Sequence, residues 1–242
     1  MKILIALPVY NEEIVLAKNV KTVLEFCQQN FSQDQLQIII ADNKSTDSTA
    51  VIAKQLIGQM PAVGYLYLPT KGKGLAWRQA FLANQADYYV VMDVDLAVDL
   101  SALKTMIADL KQGYDLVIGS RYLADSLVRR SLYRDLASKV YRYFVRWILA
   151  SKISDFQCGF KGLNNSTKEK ILSQTIDEGF FLDTELSTLA EKAGLKIKEI
   201  PVDWEEARDL KRKSTVNVFE TTVDYLSKVW QLRRRLKKQP RL

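Results

Sequence analysis

The 242-residue chain contains no histidine and only two cysteines, Cys27 and Cys158, with no Cys-x-x-Cys pair. Without histidine there is no Ser-His-Asp or Cys-His nucleophile and no His-ligated zinc. Two isolated thiols support neither a disulfide framework nor a cysteine-rich metal centre, and they fit a reducing, cytoplasmic setting. No uninterrupted apolar run approaches the roughly 18 residues of a membrane span. The opening MKILIALPVYNEE turns acidic too soon for a signal peptide. Internal repeats and low-complexity linkers are absent as well. What remains is 48% hydrophobic and 26% charged, the composition of a folded chain, with a length that suits one domain over residues 1–242.

Charge is unevenly spread. Residues 1–120 carry 10 basic and 12 acidic side chains, whereas residues 121–242 carry 25 and 16, so a net +7 is really −2 followed by +9. That split predicts two jobs, the second involving something anionic.

Short apolar runs at 3–9, 37–41, 63–68, 88–92 and 116–119 alternate with helical patterns over 12–29, 46–57, 74–86 and 100–112. Strands that are apolar without alternation belong to parallel sheets covered on both faces. The expected architecture is therefore α/β, with a mostly parallel central sheet flanked by helices. In the second half, Leu132, Leu136, Val140, Phe144 and Ile148 recur every four residues and predict a helix with a wide apolar face, ringed by Arg and Lys. A loop is expected over 155–162, a helix over 183–193, a strand over 196–202 and a basic C-terminal helix over 216–238.

Ligands of such sheets sit beyond the carboxyl ends of the strands, so the residues just after each strand carry the functional reading. Asp93-Val94-Asp95 follows an apolar strand. Alternate residues of an extended chain point the same way, so both carboxylates can converge on one Mg²⁺ or Mn²⁺ completed by substrate phosphates. In Asp42-Asn-Lys-Ser-Thr-Asp47, one of Ser45, Thr46 and Asp47 caps the next helix, while Asp42 at the strand end can accept from a nucleobase N–H. Lys71-Gly-Lys-Gly74 opens a helix, where glycine lets backbone approach a phosphate. It is neither a dinucleotide nor an NTPase fingerprint.

PVYNEE, ADNKSTDST, KGKGLAWRQAF, the DVD of VVMDVDL, GSRY, DFQCGFKG, LDTELSTLA and IPVDW occur in this order over about 3–204. Together they resemble the family 2 glycosyltransferases of GT-A (Rossmann-like) fold, closest to the dolichyl-phosphate mannose/glucose synthase branch. The resemblance implies that residues 1–120 bind a nucleotide sugar and residues 121–242 form the acceptor side. Pro8, Tyr10 and Glu12 would line the nucleotide pocket, Asp42 would hold the base, and Lys73 would sit near the donor. Asp95 would be the firmest metal ligand, with Asp93 near the ribose or metal. Arg121 would face phosphates of donor or acceptor. Asp155, Gln157 and Lys161 would form the rim between donor sugar and acceptor, and Asp183 and Glu185 would flank the reaction centre. The chain departs from the family in three ways, the first being that ARDLKRKSTV at 207–216 replaces the shorter Ser-Lys or Ser-Arg stretch common after the PV-W motif. Ala97 stands where some members have a further metal contact, and the C-terminal transmembrane helices of many members are not in this sequence.

The implied reaction is inverting transfer of a hexose from a UDP- or GDP-sugar to an acceptor. A polyprenyl phosphate is expected, a glycan or small-molecule hydroxyl is the alternative, and a nucleotide-sugar-binding pseudoenzyme is the non-catalytic one. Sugar-1-phosphate nucleotidyltransferases would want a Gly-rich, Arg-containing loop after the first strand, and PVYNEE is not one. The basic helix over 132–150 and the tail cations Lys228, Arg233, Arg234, Arg235, Lys237, Lys238 and Arg241 predict peripheral contact with an anionic cytoplasmic membrane face. Nucleic acid is not expected, because the tail has one aromatic, Trp230, and no stacking ladder.

Overall fold

Residues 1–129, 132–205 and 218–238 are described in the structure, a computed structural model, with side chains except at 132–137 and 218–223. The apolar runs become strands that alternate with helices: β1 (Lys2–Val9), α1 (Leu16–Asn30), β2 (Gln35–Asp42), α2 (Thr49–Gln59), β3 (Val63–Tyr67), α3 (Lys73–Leu82), β4 (Tyr88–Val91), α4 (Ser101–Lys111) and β5 (Leu116–Ser120). The second half supplies β6 (Val128–Arg129), α5 (Leu132–Leu149), β7 (Lys161–Asn164), α6 (Asn165–Lys170), α7 (Leu182–Lys192), β8 (Ile197–Pro201), β9 (Trp204–Glu205) and α8 (Val218–Lys238).

Seven strands form one sheet in the order β3-β2-β1-β4-β7-β5-β8, parallel except for β7, while β6 and β9 make a small parallel ribbon. Strands β7 and β8, from beyond residue 120, thus complete the same sheet as β1–β5. In β1 the side chains alternate between two cores. Ile3, Ile5 and Leu7 pack with Leu16 and Val20 of α1 and with Leu103 and Met106 of α4. Leu4 and Ala6 pack with Trp77 and Phe81 of α3 and with Leu182 and Leu186 of α7. Both faces are covered, as the uninterrupted apolar strands require.

Strand β7 corrects the expected loop over 155–162, since Lys161 and Gly162 are already in it. It is only four residues long, KGLN, and too mixed in polarity to read as a strand. Helix α1 starts later than its periodicity predicts, because Asn11 adopts a φ of 55° and Glu12 accepts the N–H groups of Val15 and Leu16 in a turn.

Helix α5 forms where expected, but its apolar ridge divides. Tyr141, Val145, Ile148 and Leu149 are buried, whereas Val140 is exposed together with Tyr143 and Trp147. Leu132 and Leu136, the first two residues of that ridge, have side chains outside the described set. Helix α8 is likewise no solvated end: Tyr225, Val229 and Leu232 are buried, and the Tyr225 ring lies 5.4 Å from that of Tyr141.

At the end of the sheet away from the carboxyl rim, the buried Tyr89 hydroxyl joins three segments. It accepts from Ala86 N at 2.8 Å and contacts Asn165 Oδ1 at 3.1 Å and Lys168 Nζ at 3.1 Å. Removing it leaves the Ala86 N–H without that acceptor and takes from the buried Lys168 Nζ the shortest of its three contacts, the others being Asn84 O and Gln85 Oε1. Tyr89→Phe is expected to lower stability by about 1–3 kcal/mol, read as a urea midpoint shift with an unchanged slope; an unchanged midpoint would contradict that bonding role.

Candidate active site

The first two loops of the carboxyl rim are laced together. Asn11 Oδ1 accepts from Thr46 N at 2.8 Å, Asn11 N donates to Ser45 Oγ at 3.0 Å, and Glu12 N donates to Thr49 Oγ1 at 2.8 Å. Ser45 and Thr46 therefore serve the neighbouring loop, and among the three expected caps it is Asp47 whose carboxylate accepts a first-turn N–H, that of Thr49, at 2.9 Å. Pro8 and Tyr10 lie along and just past the end of β1, with the Tyr10 hydroxyl 2.6 Å from Lys71 Nζ. Asp42 is fully buried: Oδ1 accepts from Ser45 N at 2.8 Å and Oδ2 from the Tyr65 hydroxyl at 2.7 Å. Burial, then Asp42 itself, pushes the Tyr65 pKa up, so the phenol stays a donor.

At α3 the glycines have a different use from the expected one. A Cβ on Gly72 would meet Glu178 O at 2.5 Å, and one on Gly74 would meet Leu182 Cβ at 2.6 Å. They let the helix start press against the chain around 178–182, and the contact is fixed by Leu75 N donating to Glu178 O at 2.9 Å. Asn43 Oδ1 accepts the Gly72 N–H on the other side.

Lys73 Nζ lies 2.5 Å from Asp93 Oδ1 and 5.4 Å from the Phe180 ring centroid. Burial disfavours its charge, but Asp93, Asp183 and Asp95 outweigh this and raise its pKa above the ordinary lysine value. Asp93 is the carboxylate in contact with this amine, and Asp95 and Asp183 act on it through their charge. Asp93 and Asp95 are half-buried past the end of β4, and Ala97 N donates to Asp95 Oδ1 at 3.2 Å. Gly159 backs Asp93 so closely that a Cβ there would lie 2.5 Å from Asp93 Oδ2. Among the described residues no cluster of three His, Cys, Asp or Glu side chains is arranged for a metal. Two carboxylates facing the rim still fit a divalent ion that takes its remaining ligands from a diphosphate and water.

Two further ion pairs lie beneath the rim. Arg121 Nε and an Nη donate to the Asp155 carboxylate at 2.8 and 3.0 Å, and Arg121 N, Gln157 N and Cys158 N donate to it as well. Burial alone would raise the Asp155 pKa, but the Arg121 guanidinium holds it below the usual carboxylate value. Lys161, fully buried, donates to Asp183 Oδ1 at 2.9 Å, Phe156 O at 3.1 Å and Cys158 O at 2.5 Å. Of the expected rim trio, Asp155 and Lys161 are thus buried below the rim and only Gln157 is half-exposed at it. Glu185 is 2% exposed: Oε2 accepts from Ile176 N and Asp177 N at 3.0 and 2.9 Å, and Oε1 lies 2.5 Å from Arg235 of α8.

The structure therefore joins Lys73 to Asp93 beside Asp95 past the end of β4, and pairs Asp183 with Lys161. It sets Arg121 on its Asp155 anchor and leaves Glu185 buried on the far side of α7. Sequence reasoning missed Gly159, Tyr65 and Phe180. Asn43 and Gly159 had a signal, since Asn43 adjoins Asp42 in the same strand-end motif and Gly159 lies within DFQCGFKG, but nothing local marks Tyr65 or Phe180.

Asp155→Ala should strand the buried Arg121 guanidinium and cost about 3–5 kcal/mol of unfolding free energy, measured in urea. A loss of turnover with full stability would instead make Asp155 a reacting group and not an anchor.

Comparison with known proteins places this geometry. The model for glycosyl transferase family 2 matches residues 4–177. The chain is 30% identical over 234 residues to the glycosyltransferase AglD of Haloferax volcanii, covering 96% of this chain and 38% of that protein. It is 28% identical over 249 residues to a dolichyl-phosphate beta-glucosyltransferase of Dictyostelium discoideum, covering 95% of this chain and 76% of that one. These relatives fit the polyprenyl-phosphate branch. Glucosyl-3-phosphoglycerate synthase from Mycobacterium tuberculosis, solved with Mn²⁺, UDP and glucosyl-3-phosphoglycerate, superposes with a TM-score of 0.68 at 16% identity, over 100% of this chain and 81% of that one. That likeness shows the fold, GT-A.

Proposed function

The chain belongs to glycosyl transferase family 2, and from that premise we propose that it transfers a hexose from a UDP- or GDP-sugar to a polyprenyl phosphate with inversion at the anomeric carbon. One observation carries the reading: the Asp93–Asp95 pair and Lys73 converge past the end of β4, next to the laced β1 and β2 loops. Carboxylates and an ammonium at that spot suit a sugar nucleotide whose diphosphate is the leaving group.

In this reading Pro8, Tyr10 and Glu12 line the nucleoside pocket, and Asp42, buried behind them and held by Ser45 N and the Tyr65 hydroxyl, meets a base N–H once the Tyr65 hydroxyl gives way. Asp93 and Asp95 would hold Mg²⁺ or Mn²⁺, which when bound supplies Lewis-acid neutralisation of the diphosphate. Lys73, pulled from Asp93 toward the new anion, adds a fixed positive charge where negative charge develops. Arg121, locked by Asp155, offers its outer guanidinium face to a phosphate, while the Trp204 ring sits 5.7 Å from it. A lipid phosphate is anionic near neutral pH and attacks without a general base. The saturated Asp155 and the paired Asp183 supply none, which favours a phosphate over a hydroxyl acceptor.

A lipid acceptor requires a membrane nearby, and no helix among the described residues is long and apolar enough to cross one. The exposed stripe Val140, Tyr143 and Trp147 on α5, flanked by Lys139, Arg142 and Arg146, supports peripheral contact with an anionic bilayer surface. Arg142 packs over the ring of Tyr122, next to Arg121, at 4.3 Å, so this surface adjoins the acceptor side.

The donor reading is checked by thermal shift with UDP- and GDP-hexoses plus Mn²⁺, where binding at 100 times Kd adds about 2.7 kcal/mol. Asp95→Asn should then lower transfer to polyprenyl phosphate by about 10²–10³-fold, and full turnover in that variant would remove the carboxylate assignment. For the membrane surface, Tyr143→Ala/Trp147→Ala should abolish co-sedimentation with anionic vesicles at low salt while leaving turnover on a short-chain soluble acceptor; undiminished pelleting would place the contact elsewhere.

A further inference from the structure

The chain from 175 to 181 has no strand or helix of its own, yet it forms the wall against which α3 begins. Its shape is set by side chains, most of them from neighbouring elements. Glu185 Oε2 takes the N–H groups of Ile176 and Asp177. Asp177 Oδ1 accepts from Gly179 N at 2.7 Å, and Arg78 donates to Thr175 O at 2.8 Å. Two cations of α8 complete the arrangement. Lys228 Nζ lies 2.8 Å from Asp177 Oδ2, and Arg235 lies 2.5 Å from the buried Glu185 Oε1. On its other side the same wall accepts Leu75 N, excludes any side chain at Gly72 and Gly74, and places Phe180 against Lys73.

We propose that Arg235 and Lys228 are positioning residues for the donor site, acting through Glu185, Asp177 and the 175–181 wall on Lys73. This assigns two of the basic residues of α8 to the inside of the enzyme and not to an anionic surface. It rests on the reading of Lys73 as a diphosphate contact. The physical reason is that a buried carboxylate keeps its charge, and so its grip on two backbone N–H groups, only while a cation neutralises it. Without Arg235, Glu185 is left as a buried group with no ion partner, free to turn away from the Ile176 and Asp177 N–H groups, and the wall loses its template. Because α3 starts flush against that wall, Lys73 moves with it.

The test is a double-mutant cycle. Affinity for UDP and GDP with Mn²⁺ is measured calorimetrically for wild type, Arg235→Gln, Arg235→Lys and Lys228→Gln, each also in a Lys73→Met background, with thermal midpoints alongside. Arg235→Gln should weaken nucleotide binding about tenfold, equivalent to ~1.4 kcal/mol. Arg235→Lys should recover most of it, and neither α8 substitution should cost more once Lys73 is Met. A loss of the same size in both backgrounds, or wild-type affinity in a folded Arg235→Gln or Lys228→Gln protein, would overturn the proposal. If Arg235→Gln does not fold, Lys228→Gln, at a partly exposed residue, runs the same cycle. Failure of the wild type to bind either nucleotide would instead reject the donor reading itself.

Discussion

Pairing of buried charge is the constraint on which the rest of this structure depends. Asp155, Lys161, Asp183 and Glu185 are each almost wholly withdrawn from solvent, and each is neutralised by a partner from a different segment. Such pairs stabilise little beyond what apolar packing would, but a single missing partner is costly. Their effect is to fix loops that have no ladder of their own. The turn at 155–158 is tied to the end of β5 through Arg121, the start of β7 is tied to α7 through Lys161, and the wall before α7 is tied to α8. The loops beneath the rim are thus cross-bonded by ion pairs, as those at its first two strands are by hydrogen bonds.

The second-half excess of positive charge is accordingly shared between two uses. Lys161, Lys228, Arg121 and Arg235 face carboxylates inside. Lys139, Arg142 and Arg146 remain along α5 beside an exposed apolar stripe. In the proposed reading the first set builds the site and the second would face the bilayer that carries the acceptor.

Much of the fold was legible because buried parallel strands leave a signal in single runs, as at 3–9 and 88–92. Strand β7 was not, since KGLN is short and its direction is reversed. Reversal also moves the informative residues. A parallel strand delivers to the rim the residues after its last one, whereas β7 delivers those before its first, so the 155–160 turn and Gly159 reach Asp93 from the opposite side. The motifs marked residues that lie at and beneath the rim, but a carboxylate in a motif reads the same whether it meets substrate or anchors a loop. Asp155 and Glu185 are separated from Asp95 in that respect only by burial and partners, which depend on distant chain. The ridge of α5 shows the same limit: a period of four identifies the helix, but an apolar stripe wider than the contact does not say which half is covered, and Val140 turned outward.

The ion pair between Glu185 and Arg235 also bears on how the chain reaches this state. Closing it joins residues 50 apart, and the neighbouring β1–β4 pairing spans a still longer loop, from Ile3 to Tyr88. Long loops must lose their entropy before such contacts repay it, so topologies of this kind fold slowly. The wall that shapes the donor side is completed only when one of the last described helices docks, so an early intermediate with the first half of the sheet formed would hold the carboxylates without the surface that aims Lys73.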